Sequence, residues 1–124
     1  MKYSFIRINP MGKPRMLRYS YKHNPTVKKY WQYKDLLKLL APKNIDWESL
    51  SVTFLIPMPI SWSKKKCKKM NGTPHLQTPD LDNLVKALQD CLLSNDAAVW
   101  HYSDIRKIWG ESGAIMIGVK DENR

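Results

Sequence analysis

Residues 79–90 read Pro79-Asp80-Leu81-Asp82-Asn83-Leu84-Val85-Lys86-Ala87-Leu88-Gln89-Asp90. Proline suits the first turn of a helix, and carboxylates near that end meet the positive end of the helix dipole. Thr78-Pro79-Asp80 therefore predicts a helix start, and the helix runs to about Leu93. Leu81, Leu84, Val85, Leu88 and Leu92 make a stripe for a core. Asp82, Lys86 and Asp90 recur every fourth residue on the opposite face. Positions i and i+2 of a regular helix do not face one another. Asp80 can thus share a site with Asp82 only from before the first turn, in non-helical geometry.

Working outward, residues 50–56 (LSVTFLI) predict a strand, and residues 2–9 predict an earlier one. Between them, a helix is predicted over about 26–41, with Val27, Tyr30, Trp31, Tyr33, Leu36, Leu37 and Leu40 at helical spacing. Pro42 stops it. Residues 57–79 hold Pro57, Pro59, Gly72, Pro74 and Pro79 and read as one long loop. Two further strands are predicted near 97–109 and 113–119. Trp31, Trp100 and Trp109 are expected in the core. The order β-α-β-loop-α-β-β implies an α+β fold over residues 1–124: one domain, a single mixed β-sheet and two main helices packed on it.

Charge is unevenly placed. Residues 1–79 carry 16 basic and 3 acidic side chains, while residues 80–124 carry 5 basic and 8 acidic, for a chain total of +10. So basic a protein attracts polyanions, with nucleic acid the commonest in a cytosol. A pure nucleic-acid clamp gains nothing from gathering carboxylates in one part of the chain. An enzyme that sets metal ions against a polyanion does. The run SWSKKKCKK at 61–69 puts Lys64, Lys65, Lys66, Lys68 and Lys69 beside Trp62. Each lysine that neutralises a phosphate releases condensed counterions. Trp62 is a candidate for packing or for a wedge at distorted DNA. Arg15, Arg18, Lys22, Lys28 and Lys29 offer a second basic strip.

Phosphodiester hydrolysis needs a divalent ion to activate water and absorb charge, and hard oxygen ligands suit Mg²⁺. Two bare carboxylates about 4 Å apart repel by roughly 4 kcal/mol at an effective dielectric near 20. A cation between Asp80 and Asp82 would relieve this, with Lys86 aimed at the phosphate. The competing reading needs no chemistry. Asp80 and Asp82 cap the helix, and Lys86 pairs with Asp82 or Asp90 at the surface.

Other classes are set aside. His23, His75, His101, Cys67 and Cys91 show no zinc spacing, and the two cysteines form no disulfide framework. No phosphate-cradling glycine pattern is present, so no nucleotide cofactor is expected. No nucleophilic serine context points to acyl transfer. The apolar runs are too short to span a membrane, and MKYSFIRINP lacks the apolar stretch of a secretory leader.

The segment Pro79 to Asp90 resembles the signature of the RusA family of Holliday junction resolvases, in which P-D-x-D-N-x-x-K opens a helix. Asn95-Asp96-Ala97-Ala98-Val99 is similar to the family's second acidic element, and Lys107-Ile108-Trp109-Gly110 to the end of the following strand. Lys13-Pro14-Arg15 and the stretch from Met58 to Lys69 resemble phage-type members. The resemblance implies a homodimeric endonuclease that cuts four-way DNA junctions by paired nicks, dependent on Mg²⁺ with Mn²⁺ able to substitute. It implies metal ligation by Asp80, Asp82 and Asp96, and a catalytic lysine at Lys86. DNA contacts are expected from Lys13, Arg15, Arg18, the five lysines at 64–69, and Lys107. The expected location is the cytoplasm of a bacterium or phage-infected host. Asn95 stands where the family carries its first acid, which keeps Asp90 and Asp104 as rival third ligands.

Overall fold

Leu50, Val52, Phe54 and Ile56 alternate with Ser51, Thr53 and Leu55, and this period-two pattern builds the central strand. The structure, a computed structural model, describes residues 2–14 and 24–121. Its strands are β1 (Lys2–Ile6), β2 (Leu50–Pro57), β3 (Tyr102–Gly110) and β4 (Ala114–Val119). They form one mixed sheet in the order β1-β4-β2-β3. β2 pairs antiparallel with β4 and parallel with β3, so Phe54 lies beside Ile115 on one side and Lys107 on the other. Parallel neighbours require a crossover. Here it runs from residue 58 to residue 101.

The helices are α1 (Pro25–Leu40), α2 (Lys64–Met70) and α3 (Leu81–Leu92). Asn24 caps α1, its side-chain oxygen accepting from Thr26 N at 2.9 Å, and Pro25 takes the first helical position. Ala41 leaves the helix in extended geometry before Pro42. α1 and α3 touch each other and bury Val27, Tyr30, Tyr33 and Leu37 together with Leu84, Val85, Ala87, Leu88 and Cys91. With Val52, Phe54, Ile115 and Ile117 of the sheet these make the core. Among the described residues no helix is long and apolar enough to cross a membrane.

The expected α+β class and mixed sheet hold, with four corrections of detail. The first strand ends at Ile6. The stretch from 97 opens as a 3₁₀ turn at Asp96–Ala98, and its strand starts only at Tyr102. The 57–79 region is not all loop, because its lysine run forms α2 and raises the helix count to three. Ser63 caps α2, its Oγ accepting from Lys66 N at 3.1 Å. Isolated helices shorter than about 12–15 residues are marginal in water, so this seven-residue one depends on its flanks. Trp62 and Met70 pack against the core and supply that hold. Finally, Trp109 is buried as expected, but Trp31 is 45% and Trp100 77% exposed. Trp31 follows Tyr30 and so points about 100° away from the buried stripe. Trp100 precedes β3 in extended chain and lies beside the His101 ring.

Leu37 is fully buried and Leu39, two residues on, is 79% exposed. Leu37→Ala should cost about 2–5 kcal/mol of unfolding free energy. Leu39→Ala should stay within about 0.5 kcal/mol of the parent. Urea denaturation of the two variants checks this assignment of the helix face.

Candidate active site

Asp80 occupies the N-cap of α3 in extended geometry, with φ −68° and ψ 145°. Its carboxylate makes no capping hydrogen bond, although that is the usual use of aspartate at this position. Asp82 follows in the first turn and accepts from Asn83 N at 2.9 Å. Asp80, Asp82 and Lys86 line one cavity of about 470 Å³ with Thr78, Pro79 and Asn83. Among the described residues, neither Asp80 nor Lys86 makes a side-chain hydrogen bond or an ion pair. The capping-and-pairing arrangement is therefore absent at these two positions. The site instead presents a carboxylate and an ammonium with unused bonding capacity.

Asp90 is different. Its Oδ2 accepts from the Tyr30 hydroxyl at 2.9 Å, and its Oδ1 lies 3.5 Å from Lys13 Nζ. Burial pushes the Tyr30 hydroxyl pKa up, so Tyr30 stays protonated and donates. Burial also raises the pKa of the Cys91 thiol, which donates to the same hydroxyl oxygen at 3.7 Å. Asp90 thus ties α3 to α1 and to the segment after β1. Asp104, the other rival ligand, is held by Arg106 through two hydrogen bonds of 3.2 and 2.6 Å. Asp96 carries no such partner among the described residues. It lines a second cavity of about 630 Å³, which Asp82 and Lys86 share with the first.

The turn before α3 is fixed from β3. Lys107 Nζ donates to the carbonyl oxygens of Gln77 and Pro79, the latter at 2.8 Å. Charge-assisted hydrogen bonds of this kind are the stronger class. The ammonium expected on DNA is thus engaged with the backbone just upstream of Asp80. Beside it, residues 72–75 run along the outer edge of β3. Gly72 N donates to Trp109 O at 2.9 Å, Trp109 N to Thr73 O at 2.9 Å and His75 N to Lys107 O at 3.2 Å. His75 is buried, its ring centroid is 4.3 Å from that of Trp109, and its Nδ1 has no partner. Burial first, and the Lys107 charge second, lower its pKa.

On the other side of the site, Asn83 Nδ2 donates to Lys13 O at 3.3 Å. A Cβ built on Gly12 would lie 2.4 Å from that same Nδ2, so glycine lets the 11–14 segment approach the helix. Lys13 is thereby brought beside α3. Lys64, Lys65, Lys66, Lys68 and Lys69 are all exposed on α2, and Lys66 Nζ lies 4.4 Å from the Trp62 ring centre. Trp62 packs on Trp109 with centroids 4.7 Å apart. Arg15, Arg18 and Lys22 lie outside the described residues.

Hard carboxylate oxygens at Asp80 and Asp82 fit a Mg²⁺-type ion, which keeps most of its waters and takes one or two carboxylates. Among the described residues no group of three or more His, Cys, Asp or Glu side chains is close enough to hold a metal. Asp96 does not join Asp80 and Asp82 in one cluster within this chain.

The family model for endodeoxyribonuclease RusA matches residues 7–120. The chain belongs to the RusA family. Comparison with curated proteins and with solved structures gave no match. The RusA match spans both cavities, α2, α3 and the Lys107 clamp. RusA-family proteins are nucleases, and the activity the family implies is Holliday junction resolution. Sequence reading alone missed Gln89 and Tyr102 at this candidate site and His75 behind the turn that precedes it. Gln89 Oε1 accepts from Tyr102 OH at 2.9 Å across a gap of thirteen residues, and no local pattern signals such a pair. The close Gly12–Asn83 approach was equally hidden, although Asn83 lies inside the family signature.

A His75 pKa lowered by the fold makes the neutral ring the folded form. The unfolded chain takes up that proton near pH 6.5. The contribution of His75 to stability is therefore complete above that pH and is lost as pH falls below it. Thermal unfolding followed between about pH 7.5 and 5 should show this loss. His75→Phe should remove that part of the slope.

Proposed function

We propose that the protein is a homodimeric, divalent-metal-dependent endonuclease that resolves four-way DNA junctions by paired nicks. One observation carries the reading. Asp80 and Lys86 converge with Asp82 on one cavity and have no charge partner among the described residues, while Asp90, on the same helix, is partnered by Tyr30 and Lys13. A surface charge pattern would pair these groups. A site for a metal and a phosphate leaves them open.

Asp80 and Asp82 would hold the ion, and Asp96 would complete the set only in the dimer, since it does not cluster with them within one chain. When bound there, Mg²⁺, or Mn²⁺ in its place, would supply a water of lowered pKa and absorb charge on the scissile phosphate. Lys86 sets its ammonium against a phosphate oxygen and stabilises the charge that develops there. The lysines of α2, with Lys13, Arg15 and Arg18, neutralise phosphates of the junction arms. Lys107 acts one step back by holding the Gln77–Pro79 turn from which Asp80 projects. A two-fold dimer places two such sites on a junction of near two-fold symmetry, which accounts for paired cuts. The cytoplasm of a bacterium or of a phage-infected host supplies DNA in this form.

A second reading, a DNA-binding protein without catalysis, draws on the lack of a three-carboxylate cluster within the described chain. The test uses a synthetic four-way junction with labelled strands, beside linear duplex of the same sequence. With Mg²⁺, symmetry-related nicks should appear on the junction alone and vanish in EDTA. Asp82→Asn and Lys86→Ala should each lower the rate by about 10²–10³-fold. Asp82→Asn should bind the junction at least as tightly as the parent, since a negative charge has gone. Salt-sensitive binding without cleavage under any divalent ion would overturn the nuclease in favour of the binder.

The lysine helix gives a separate prediction. Replacing Lys65 and Lys69 by Gln should weaken junction binding and reduce the slope of log K against log salt by about 0.9 for each phosphate no longer neutralised. Titrations between about 50 and 200 mM salt measure it. An unchanged slope would remove α2 from the DNA interface.

A further inference from the structure

We propose that the larger cavity beside Asp82 and Lys86 is a nucleobase pocket that takes the base flanking the scissile phosphate, turned out of its stack. The proposal rests on the nuclease reading and adds to it the part of the substrate that sits next to the cut. The cavity has a volume of about 630 Å³. Leu81, Val85 and Ile105 give it apolar walls. Asp82 and Lys86 stand where it meets the smaller cavity. The two carboxylates that line it, Asp82 and Asp96, are the ones assigned above to the metal, and the apolar walls beside them offer a phosphate no favourable place. A base has the matching chemistry, with two apolar faces and a polar edge.

Gln89 supplies the partner for that edge. It lines the cavity, is only 7% exposed, and has its amide oxygen fixed by Tyr102 OH at 2.9 Å. The amide nitrogen has no partner among the described residues. A donor at the cavity without a protein partner is open to a ligand acceptor. A carbonyl oxygen or ring nitrogen of a base is such an acceptor. If the amide is turned about, Tyr102 still fixes one end and the other end is an acceptor for a base amino group. Because both cavities share Asp82 and Lys86, a nucleotide whose phosphate lies against Lys86 has its own base within reach of Gln89.

The pocket also bears on substrate choice. Extruding a base costs unstacking energy, and least where the duplex is already distorted. A branch point offers such bases and a continuous duplex does not. Cutting then depends on whether a base can leave its stack beside the phosphate, and on which base it is.

The test uses the whole protein and four-way junctions that carry 2-aminopurine at each position flanking the cut. In EDTA, where no cleavage occurs, binding should raise the fluorescence severalfold at one flank only. In Mg²⁺, cleavage should vary by about tenfold among the four bases at that flank, the scale of one hydrogen bond made or left unpaired. Gln89→Leu, and Tyr102→Phe, which releases the amide, should both flatten this ratio. Ile105→Trp, which fills the cavity, should abolish the fluorescence rise. Circular dichroism confirms that each variant is folded. Junction cleavage with no flanking-base effect and no fluorescence rise would overturn the pocket alone. Variants that change the sedimenting mass yet keep the rise would also overturn it, since a second copy then covers the cavity. Absence of DNA cleavage under any divalent ion would overturn the nuclease reading and the pocket together.

Discussion

Parallel pairing of β2 with β3 is the constraint on which the rest of the molecule depends. An antiparallel pair can close with a two-residue turn, but a parallel pair needs the chain to travel back along its full length. In this protein that return journey holds α2, the 72–75 edge segment, the turn before α3, α3 itself and the Asp96 turn. Nearly every group with chemistry to offer lies on it. The core side of the sheet fixes the two ends of the crossover, and α3 fixes its middle by burying Leu84, Val85, Ala87, Leu88 and Cys91. What lies between is then free to carry charge. The 72–75 segment has a second effect, because it pairs with the outer edge of β3 and so covers a strand edge that would otherwise invite pairing with another chain.

In the crossover and the strand that follows it, the charges divide by what they touch. Asp90, Asp104 and Lys107 are engaged with protein groups, while among the described residues Asp80, Lys86 and Asp96 have no such partner. The first set holds elements together. Asp90 joins α3 to Tyr30 of α1 and to Lys13, and Lys107 joins β3 to the turn before α3. The second set is positioned by the first. Asp80 can project from an N-cap without bonding to it because the turn that delivers it is gripped from β3. The helix therefore starts at a fixed place without using the carboxylate that normally starts it.

Much of this was legible in the sequence. The alternation of residues 50–56 and the stripe from Leu81 to Leu92 each repeat a burial period over enough residues to be read, and they emerge as β2 and α3. The Pro79-Asp80 start was readable because proline and carboxylates both mark a helix N-terminus. The lysine helix was not, since seven residues with no apolar stripe carry no period, and its hold comes from Trp62 and Met70 at its flanks. Trp31 and Trp100 show another limit. Hydrophobicity says what a side chain would gain from burial, whereas the helix angle and the strand boundary decide whether it is buried. The family signature pointed to Asp80, Asp82 and Lys86, and the fold brings these three to one cavity. It could not show that Lys107 would bond to backbone, nor that Gln89 and Tyr102 would meet, because both depend on pairings across distant parts of the chain.

The short lysine helix carries the last consequence of this layout. Lys64 and Lys68, and Lys65 and Lys69, are four residues apart, and like charges at that spacing destabilise a helix by a few tenths of a kcal/mol per pair. No acid in its first turn offsets them. The Lys66 ammonium over the Trp62 ring and the Ser63 cap hold the helix together against that repulsion. A polyanion laid along α2 removes the repulsion at the moment it binds, so binding and helix stability reinforce each other by mass action. Trp62 rests on Trp109, and the Trp109 backbone pairs with Thr73 in the segment that leads to His75 and the Lys107-bound turn. Charge that a polyanion would neutralise on α2 is thus joined, through packed rings and edge hydrogen bonds, to the turn that places Asp80.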